Sequence, residues 1–217
     1  GIDVSHHQHR IEWEAVAAQN IHFAFAKASE GVTLRDSFFL RNWLEMRRTG
    51  IKRGAYHFFR PSYSAGVQAQ NFLLCFDIEN GDLPPVLDVE VTDGVSPEDL
   101  RTGISTWLRM VETVCQIKPI LYTNQKFFNE YLAGHFENYP VWIARYHPWR
   151  KPVLETSQAW NFWQYGNRGR LDGIGGDVDF NVFNGNMDEL KAFCLAKQEP
   201  TPSPLRAAVD ESITSNP

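Results

Sequence analysis

The sequence predicts an α/β fold in which parallel strands close into a barrel. Eight short apolar runs are typical of strands, and amphipathic helical patterns lie between several of them. Strand, helix and strand repeated in this order form parallel units that can close on themselves. A chain of 217 residues is long enough for one such domain. The predicted strands cover residues 2–4, 22–28, 54–59, 86–89, 119–123, 141–144, 162–165 and 178–180.

Two helices between these strands have clear sequence signals. Ser37 is the predicted N-cap of the first, and Gly50 is its predicted stop. Its predicted apolar positions are Leu40, Trp43 and Leu44. The second begins at residues 96–99, where Ser-Pro-Glu-Asp combines a capping box with proline in the first turn. Its apolar residues keep helical spacing: Leu100, Ile104, Trp107, Leu108 and Val111.

The helical pattern weakens toward the end of the chain. Residues 145–159 contain two prolines and no sustained helical period, and residues 166–177 are rich in glycine. We therefore expect an irregular barrel whose last crossovers lack helices. Residues 198–217 are polar and proline-rich and offer too little apolar surface to fold. The sequence predicts one domain over residues 1–197, followed by a disordered tail or linker.

Composition excludes several classes of function. The net charge is -5 and no Lys/Arg run is present, so nucleic acid is not an expected partner. No apolar stretch approaches 18 residues, so we expect a soluble monomer without membrane insertion. The chain starts at Gly1 without a signal segment, and we expect a native N-terminal segment to have been removed. Three widely spaced cysteines, Cys75, Cys115 and Cys194, indicate buried apolar side chains rather than a disulfide framework or zinc site.

Asp88 and Glu90 carry the strongest chemical signal. They close the fourth predicted strand, where side chains at i and i+2 point the same way about 7 Å apart. Two like charges held together split their pKa values, so one group keeps a proton while the other ionises. An acid beside a carboxylate is what glycosidic bond cleavage requires. Taken alone, however, such a pair is more often a solvated strand end or part of a salt bridge.

Polar residues also collect at the ends of the other predicted strands. In β/α barrels the active site lies on the rim formed by the C-terminal ends of the strands. Repetition of polar groups there favours a functional site over isolated capping residues. The residues at these positions are Asp3, Lys27, Glu30, Tyr56, His57, Asp88, Glu90, Tyr122, Arg145, Tyr146, Gln164 and Asp179.

Seven ordered motifs resemble glycoside hydrolase family 25, the Chalaropsis-type lysozymes. They are GIDVS (1–5), KASEG (27–31), GAYHF (54–58), PVLDVE (85–90), WIARY (142–146), WQY (163–165) and VDFN (178–181). The resemblance spans residues 1 to about 195. It implies a flattened, irregular TIM-like β/α barrel and an N-acetylmuramidase that cuts the β-1,4 bond after N-acetylmuramic acid in peptidoglycan. By position, it implies Glu90 as general acid and Asp3, Asp88 and Asp179 as the other acids of the site. Ser29 replaces the usual threonine, and His6 and His7 fall in a variable stretch.

The spacing of the two central acids leaves two mechanisms open. Retaining enzymes with a protein nucleophile separate their carboxyls by about 5 to 5.5 Å and inverting enzymes by about 6.5 to 9.5 Å, and an i, i+2 pair straddles that divide. Both acids approach the sugar from one side, which favours attack by the substrate's own acetamido oxygen. Asp88 would accept the amide N–H, and Glu90 would act first as acid and then as base. In the rival mechanism Asp88 is a direct nucleophile. The predicted substrate-binding residues are Tyr56, Lys27, Tyr122, Gln164, Trp142, Trp163 and Tyr146.

Three other functions compete with this interpretation. His6, His7 and His9 beside Asp3 suggest a metal-dependent hydrolase, but no second ligand set follows, so we expect neither metal nor cofactor. A non-catalytic wall-binding module would lack Asp88 or Glu90. A chitin-type polymer shares the 2-acetamido group with peptidoglycan. The expected partner is a peptidoglycan strand, and the expected location is secreted, periplasmic or in the cell wall, or that of a phage endolysin.

Overall fold

The computed structural model describes residues 1–147 and 149–196. Within these ranges nine strands form one sheet, and eight of them close into a barrel. The barrel order is β1-β9-β8-β7-β6-β5-β4-β2, and β1 pairs with β2 to complete the ring. The strands are β1 (Ile2–Val4), β2 (Phe23–Glu30), β3 (Leu34–Arg35), β4 (Lys52–Phe58), β5 (Val86–Asp88), β6 (Ile120–Asn124), β7 (Val141–Ala144), β8 (Phe162–Gly169) and β9 (Val178–Phe183).

All eight predicted strands are present, but the barrel is mixed rather than wholly parallel. Strand β9 runs antiparallel to both β8 and β1, while the other barrel pairings are parallel. Only residues 170–177 connect β8 to β9, which is shorter than the dozen residues a parallel crossover requires. The first residues of the glycine-rich segment, 166–177, belong to a strand, because β8 continues to Gly169. Short β3 was not predicted, and it forms a hairpin with β2 outside the ring.

The helices cover the outside of the barrel. They are α1 (Trp13–Ala17), α2 (Phe39–Arg48), α3 (Ala65–Leu73), α4 (Pro97–Cys115), α5 (Gln125–Phe127) and α6 (Met187–Phe193), with a 3₁₀ turn at His6–Gln8 and a π turn at Phe128–Leu132. The described residues between β7 and β8, and residues 170–177 between β8 and β9, contain no helix, as predicted. Helix α4 also matches its prediction: Ser96 Oγ accepts from the Asp99 backbone N–H at 3.1 Å.

Helix α2 differs from its prediction in cap and face. Ser37 does not cap it; the helix begins after Phe38, whose N–H donates to Asp36 Oδ1 at 2.9 Å. Its buried apolar residues are Phe39, Trp43 and Met46, whereas Leu40 and Leu44 are 62% and 55% exposed. Trp43 can form an apolar face either with Leu40 and Leu44 or with Phe39 and Met46. The face that packs against the barrel is the one with Phe39 and Met46. The predicted stop is confirmed, because Gly50 follows the helix with φ +77°.

Alternation along the strands separates two apolar clusters. The inner cluster fills the barrel beneath the rim, where the rings of Phe25 and Trp142 stack with centroids 4.5 Å apart. The outer cluster lies between the barrel and its helices, where Ala24 and Ala26 give the helices close access to the strands. Because the inner cluster is apolar, polar residues that point inward are confined to the rim.

Several remaining predictions concern side chains and the end of the chain. Cys75, Cys115 and Cys194 form no disulfide; the latter two are buried, as predicted, and Cys75 is half-buried. The predicted tail, 198–217, lies outside the described residues. Among the residues that the structure does describe, no helix is both long and apolar enough to cross a membrane.

Candidate active site

A pocket of about 140 Å³ opens on the rim at the C-terminal ends of the parallel strands. Nine of the eleven residues predicted for the site line it: Asp3, Tyr56, Asp88, Glu90, Tyr122, Trp142, Tyr146, Gln164 and Asp179. Residues 1–5 and 178–181, at opposite ends of the barrel sequence, meet here because β1 pairs with β9. The fold therefore brings together four acids and the hydroxyls of three tyrosines.

The strand register explains how the acids converge. Asp88 is the last residue of β5 and lies beside Tyr122 of β6, while Asp3 lies opposite Asp179. Asp179 was predicted to end a parallel strand, but β9 is antiparallel and Asp179 is its second residue. An antiparallel strand begins at the rim where its neighbours end, so the reversed direction still delivers this acid to the pocket.

Asp3 is held by a buried hydrogen-bond network. Its Oδ2 accepts from Gln164 Nε2 at 2.8 Å and from Asn181 Nδ2 at 2.7 Å. The hydroxyls of Tyr122 and Tyr146 both donate to Gln164 Oε1 at 2.9 Å. Burial, followed by the charge of Asp179, raises the pKa of Asp3 well above its ordinary value. The network therefore fixes an acid whose ionisation is costly.

Asn181 is a site residue that the sequence analysis did not single out. Its Oδ1 accepts from the indole N–H of Trp142 at 2.8 Å while its amide donates to Asp3. It therefore ties the floor of the pocket to an acid. The signal was available, since Asn181 follows Asp179 by two residues and shares its strand face.

Asp88 and Glu90 form the second acid pair: both line the pocket, and each perturbs the pKa of the other. Asp88 is 6% exposed, and burial, followed by the charge of Glu90, raises its pKa well above its ordinary value. Glu90 is exposed at the pocket mouth, yet partial removal from water also raises its pKa. Two neighbouring carboxyls cannot both ionise cheaply, so we expect the pair to release its second proton less readily than its first.

The tyrosines remain neutral hydrogen-bond donors. Burial and the surrounding acids raise the pKa of Tyr56 and of Tyr122 well above ordinary values. Burial raises the pKa of Tyr146 to about 12. Their hydroxyls therefore keep their protons at neutral pH and can orient polar groups of a ligand.

Two predicted binding residues, Lys27 and Trp163, do not line the pocket. Lys27 Nζ pairs with Glu30 Oε2 at 2.7 Å, although its charge still lowers the pKa of Asp88 and Glu90. Trp163 is 6% exposed, and its indole N–H donates to the Arg145 carbonyl at 2.9 Å, which is a core role. His57, predicted on the rim, is buried on the outer face because it alternates with Tyr56.

The histidines of the metal hypothesis lie near the start of the chain. His6 Nδ1 is 2.7 Å from Oδ2 of Asp36, whose side chain is fully buried. Across the described ranges, no group of three or more His, Cys, Asp or Glu side chains is placed to hold a metal ion.

The raised pKa values predict that stability falls with rising pH. Folded-state pKa values of Asp3, Asp88, Glu90 and Asp179 all lie above the ordinary values of about 4 that the unfolded chain has. Above pH 4 the unfolded chain ionises first, so folding becomes less favourable until the folded acids ionise. Asp88→Asn removes the cost of ionising this buried acid at pH 8, so it should raise Tm at that pH. Thermal unfolding should show a rise of about 2–4 °C for each kcal/mol by which the free energy of unfolding increases. An equal gain at pH 4 would contradict this explanation.

The chain is similar in sequence and fold to known proteins. The model of "Glycosyl hydrolases family 25" matches residues 2–174. The chain is 50% identical over 198 residues to the uncharacterized protein YegX of Escherichia coli (strain K12), covering 89% of this chain and 72% of that protein. It is 34% identical over 205 residues to Lysozyme M1 of Streptomyces globisporus, covering 88% and 70%.

A solved structure agrees with the sequence relatives. A family 25 glycosyl hydrolase from Bacillus anthracis superimposes with a TM-score of 0.83 at 34% identity, covering 90% of this chain and 93% of that one. The family model matches well over half of the chain, so membership of this family accounts for both the sequence motifs and the barrel. The chain belongs to glycosyl hydrolase family 25 and is a glycoside hydrolase.

Proposed function

We propose that this enzyme is a muramidase that cleaves the β-1,4 bond between N-acetylmuramic acid and N-acetylglucosamine in peptidoglycan. The Asp88–Glu90 pair in the rim pocket carries the proposal, because a neighbouring acid and carboxylate can deliver a proton and stabilise a cation. The relative Lysozyme M1 supports the substrate class.

Glu90 is the general acid and then the base. It lies at the mouth of the pocket, where a leaving oxygen and later a water can reach it. Its raised pKa keeps the proton available above the range of an ordinary glutamate. Asp88, deeper in the pocket, is less accessible to a leaving group.

Asp88 assists the substrate's acetamido group. No N–H or hydroxyl of the described residues donates to the buried Oδ1 of Asp88. By contrast, Oδ2 of Asp3 accepts two hydrogen bonds. Asp88 therefore lines the pocket with a carboxylate oxygen that can accept a hydrogen bond, and the acetamide N–H of the substrate donates it. That hydrogen bond stabilises ionised Asp88, so Glu90 holds the proton as substrate binds. The acetamide oxygen then attacks the anomeric carbon as the glycosidic bond breaks.

The placement of the two acids also bears on the rival mechanism. A direct nucleophile and its acid stand about 5 to 5.5 Å apart, with the sugar between them. Asp88 and Glu90 instead follow one another at the end of β5 and line the same pocket, so both approach the sugar from one side. A thiazoline inhibitor, which mimics the cyclised acetamide, should therefore bind far more tightly than the substrate. A glycosyl adduct trapped on Asp88 would instead show direct attack.

The remaining pocket residues orient the substrate. Asp3 and Asp179 complete the acid cluster around Asp88, whose pKa is raised chiefly by burial and also by the charges of Glu90 and Asp3. Tyr56, Tyr122 and Tyr146 donate to sugar hydroxyls or the acetamide. Trp142 forms the floor against which a ring can rest.

The proposed partner is a peptidoglycan glycan strand, and the enzyme acts alone as a monomer. This places its action in the cell wall, whether it is secreted, periplasmic or delivered as an endolysin. Incubation with purified peptidoglycan distinguishes an enzyme from a wall-binding module. Soluble muropeptides and new reducing ends should appear with time. Retention on the wall without any release would refute hydrolysis.

A further inference from the structure

Glu90 does not lie on a strand, so something other than the sheet must fix it. Strand β5 ends at Asp88, and Glu90 begins the loop that leads to α4. Buried Val89 anchors the start of this loop by donating to the Tyr122 carbonyl at 2.9 Å. A general acid misplaced by about 1 Å can cost 100-fold in rate. The contacts that hold this loop are therefore relevant to catalysis.

The loop closes in a tight turn at residues 92–95. Asp93 and Gly94 have φ of +47° and +78°, and the Val95 N–H donates to the Thr92 carbonyl at 3.0 Å. Two central residues with positive φ are typical of a type I′ turn. Asp-Gly is a favoured pair for the centre of such a turn, so the sequence itself specifies this conformation. The turn also presents the Asp93 carboxylate to a neighbouring residue, which can fix the loop relative to the barrel.

Arg60 is that neighbouring residue. Its Nε and Nη2 donate to the two carboxylate oxygens of Asp93, each at 2.9 Å. A bidentate guanidinium–carboxylate pair fixes orientation as well as distance. Arg60 Nη1 also lies 3.5 Å from Glu30 Oε1, and Glu30 holds Lys27. Through Glu30, Arg60 thus joins the loop of Glu90 to Lys27, whose charge acts on the pKa of both Asp88 and Glu90.

The main chain of Arg60 is itself locked. The buried Gln68 side chain accepts from the Arg60 N–H at 2.9 Å and donates to the Arg60 carbonyl at 2.9 Å. The preceding residue, Phe59, donates to the Asp88 carbonyl at 2.8 Å. Arg60 is consequently fixed relative to β5, while its side chain reaches the turn beyond Glu90.

We propose that Arg60 is a positioning residue, which holds Glu90 over the pocket through its bidentate pair with Asp93. This rests on the proposed role of Glu90 as acid and base. Without the pair, the turn relaxes and Glu90 samples positions away from the leaving oxygen. Substrate binding is retained, because the other groups that line the pocket stay in place.

The test compares Arg60→Ala and the milder Asp93→Asn with Arg48→Ala, which removes an exposed arginine paired with Glu45. On purified peptidoglycan, Arg60→Ala should lower kcat by about 10- to 100-fold with KM within about twofold, and Arg48→Ala should change neither. The double variant at positions 60 and 93 should lose no more than the larger single loss. Unchanged kcat with a lower Tm in both single variants would overturn the proposal.

Two further readouts separate positioning from general loosening. Greater exposure of Glu90 lowers its pKa, so the alkaline limb of the kcat–pH profile should move to lower pH in Arg60→Ala, by less in Asp93→Asn, and not in Arg48→Ala. In a Glu90→Gln background, Arg60→Ala should cost less than about twofold. A full loss in that background would place the action of Arg60 elsewhere and overturn the inference. Wild-type activity of Glu90→Gln alone would instead refute the proposed function.

Discussion

Glu90→Gln is expected to lower kcat on peptidoglycan by about 100- to 10,000-fold, the range that general acid catalysis contributes. Glutamine fills the same space and hydrogen-bonds, but it cannot deliver a proton to the leaving oxygen. Folding should be intact, because the raised pKa of Glu90 means that its charge is a cost to the folded state. The measurement is the rate of release of reducing ends, together with Tm by calorimetry.

A matched control keeps this result specific. Glu137 is an exposed acid that lies before β7, at the end of that strand opposite the rim. Glu137→Gln makes the same chemical change there and should leave both kcat and Tm within error. Wild-type activity in Glu90→Gln would show that the proton comes from another group.

Asp88→Asn is expected to lower kcat by about 100- to 1,000-fold, comparable to the loss of one group that stabilises transition-state charge. Asparagine can still accept the acetamide N–H through its carbonyl oxygen, but it carries no charge to stabilise the cationic ring. The acid pair is also lost, so Glu90 is protonated less efficiently. Affinity for a thiazoline inhibitor should fall with kcat, because both depend on the same contact.

The control for this variant is Asp188→Asn, whose side chain is 91% exposed in the first turn of α6. It should leave inhibitor affinity and kcat unchanged. If Asp88→Asn lost activity while its inhibitor affinity stayed at the wild-type value, the negative charge of Asp88 would not stabilise the cyclised acetamide. That outcome would favour the direct-nucleophile mechanism.

The strands and the clustering of acids could be predicted because short apolar runs locate the strands and the ends of parallel strands meet at one rim. Asp88 and Tyr122 were placed on that rim by their positions in two such runs. The direction of β9 could not be predicted this way, since a hairpin strand and a crossover strand have the same residue pattern. The length of the preceding loop is the only local clue, and strand ends are hard to locate from sequence.

Side-chain partners were harder to predict than positions. Lys27 lies where expected along β2, but its ammonium group forms an ion pair with Glu30, three residues later, and does not line the pocket. Trp163 shares the rim end of β8 with Gln164 but points to the other face of the barrel wall. Asn181 was missed because an amide between two apolar neighbours carries no distinctive chemistry alone. Its role appears only when β9 is placed beside Asp3.

The most direct test of muramidase activity is the identity of the new reducing end. Purified peptidoglycan is digested, the products are reduced with borohydride, and mass spectrometry identifies which sugar has become an alcohol. Cleavage of the proposed bond predicts reduced N-acetylmuramic acid, absent from the Glu90→Gln digest. Reduced N-acetylglucosamine as the principal product would contradict the assigned specificity.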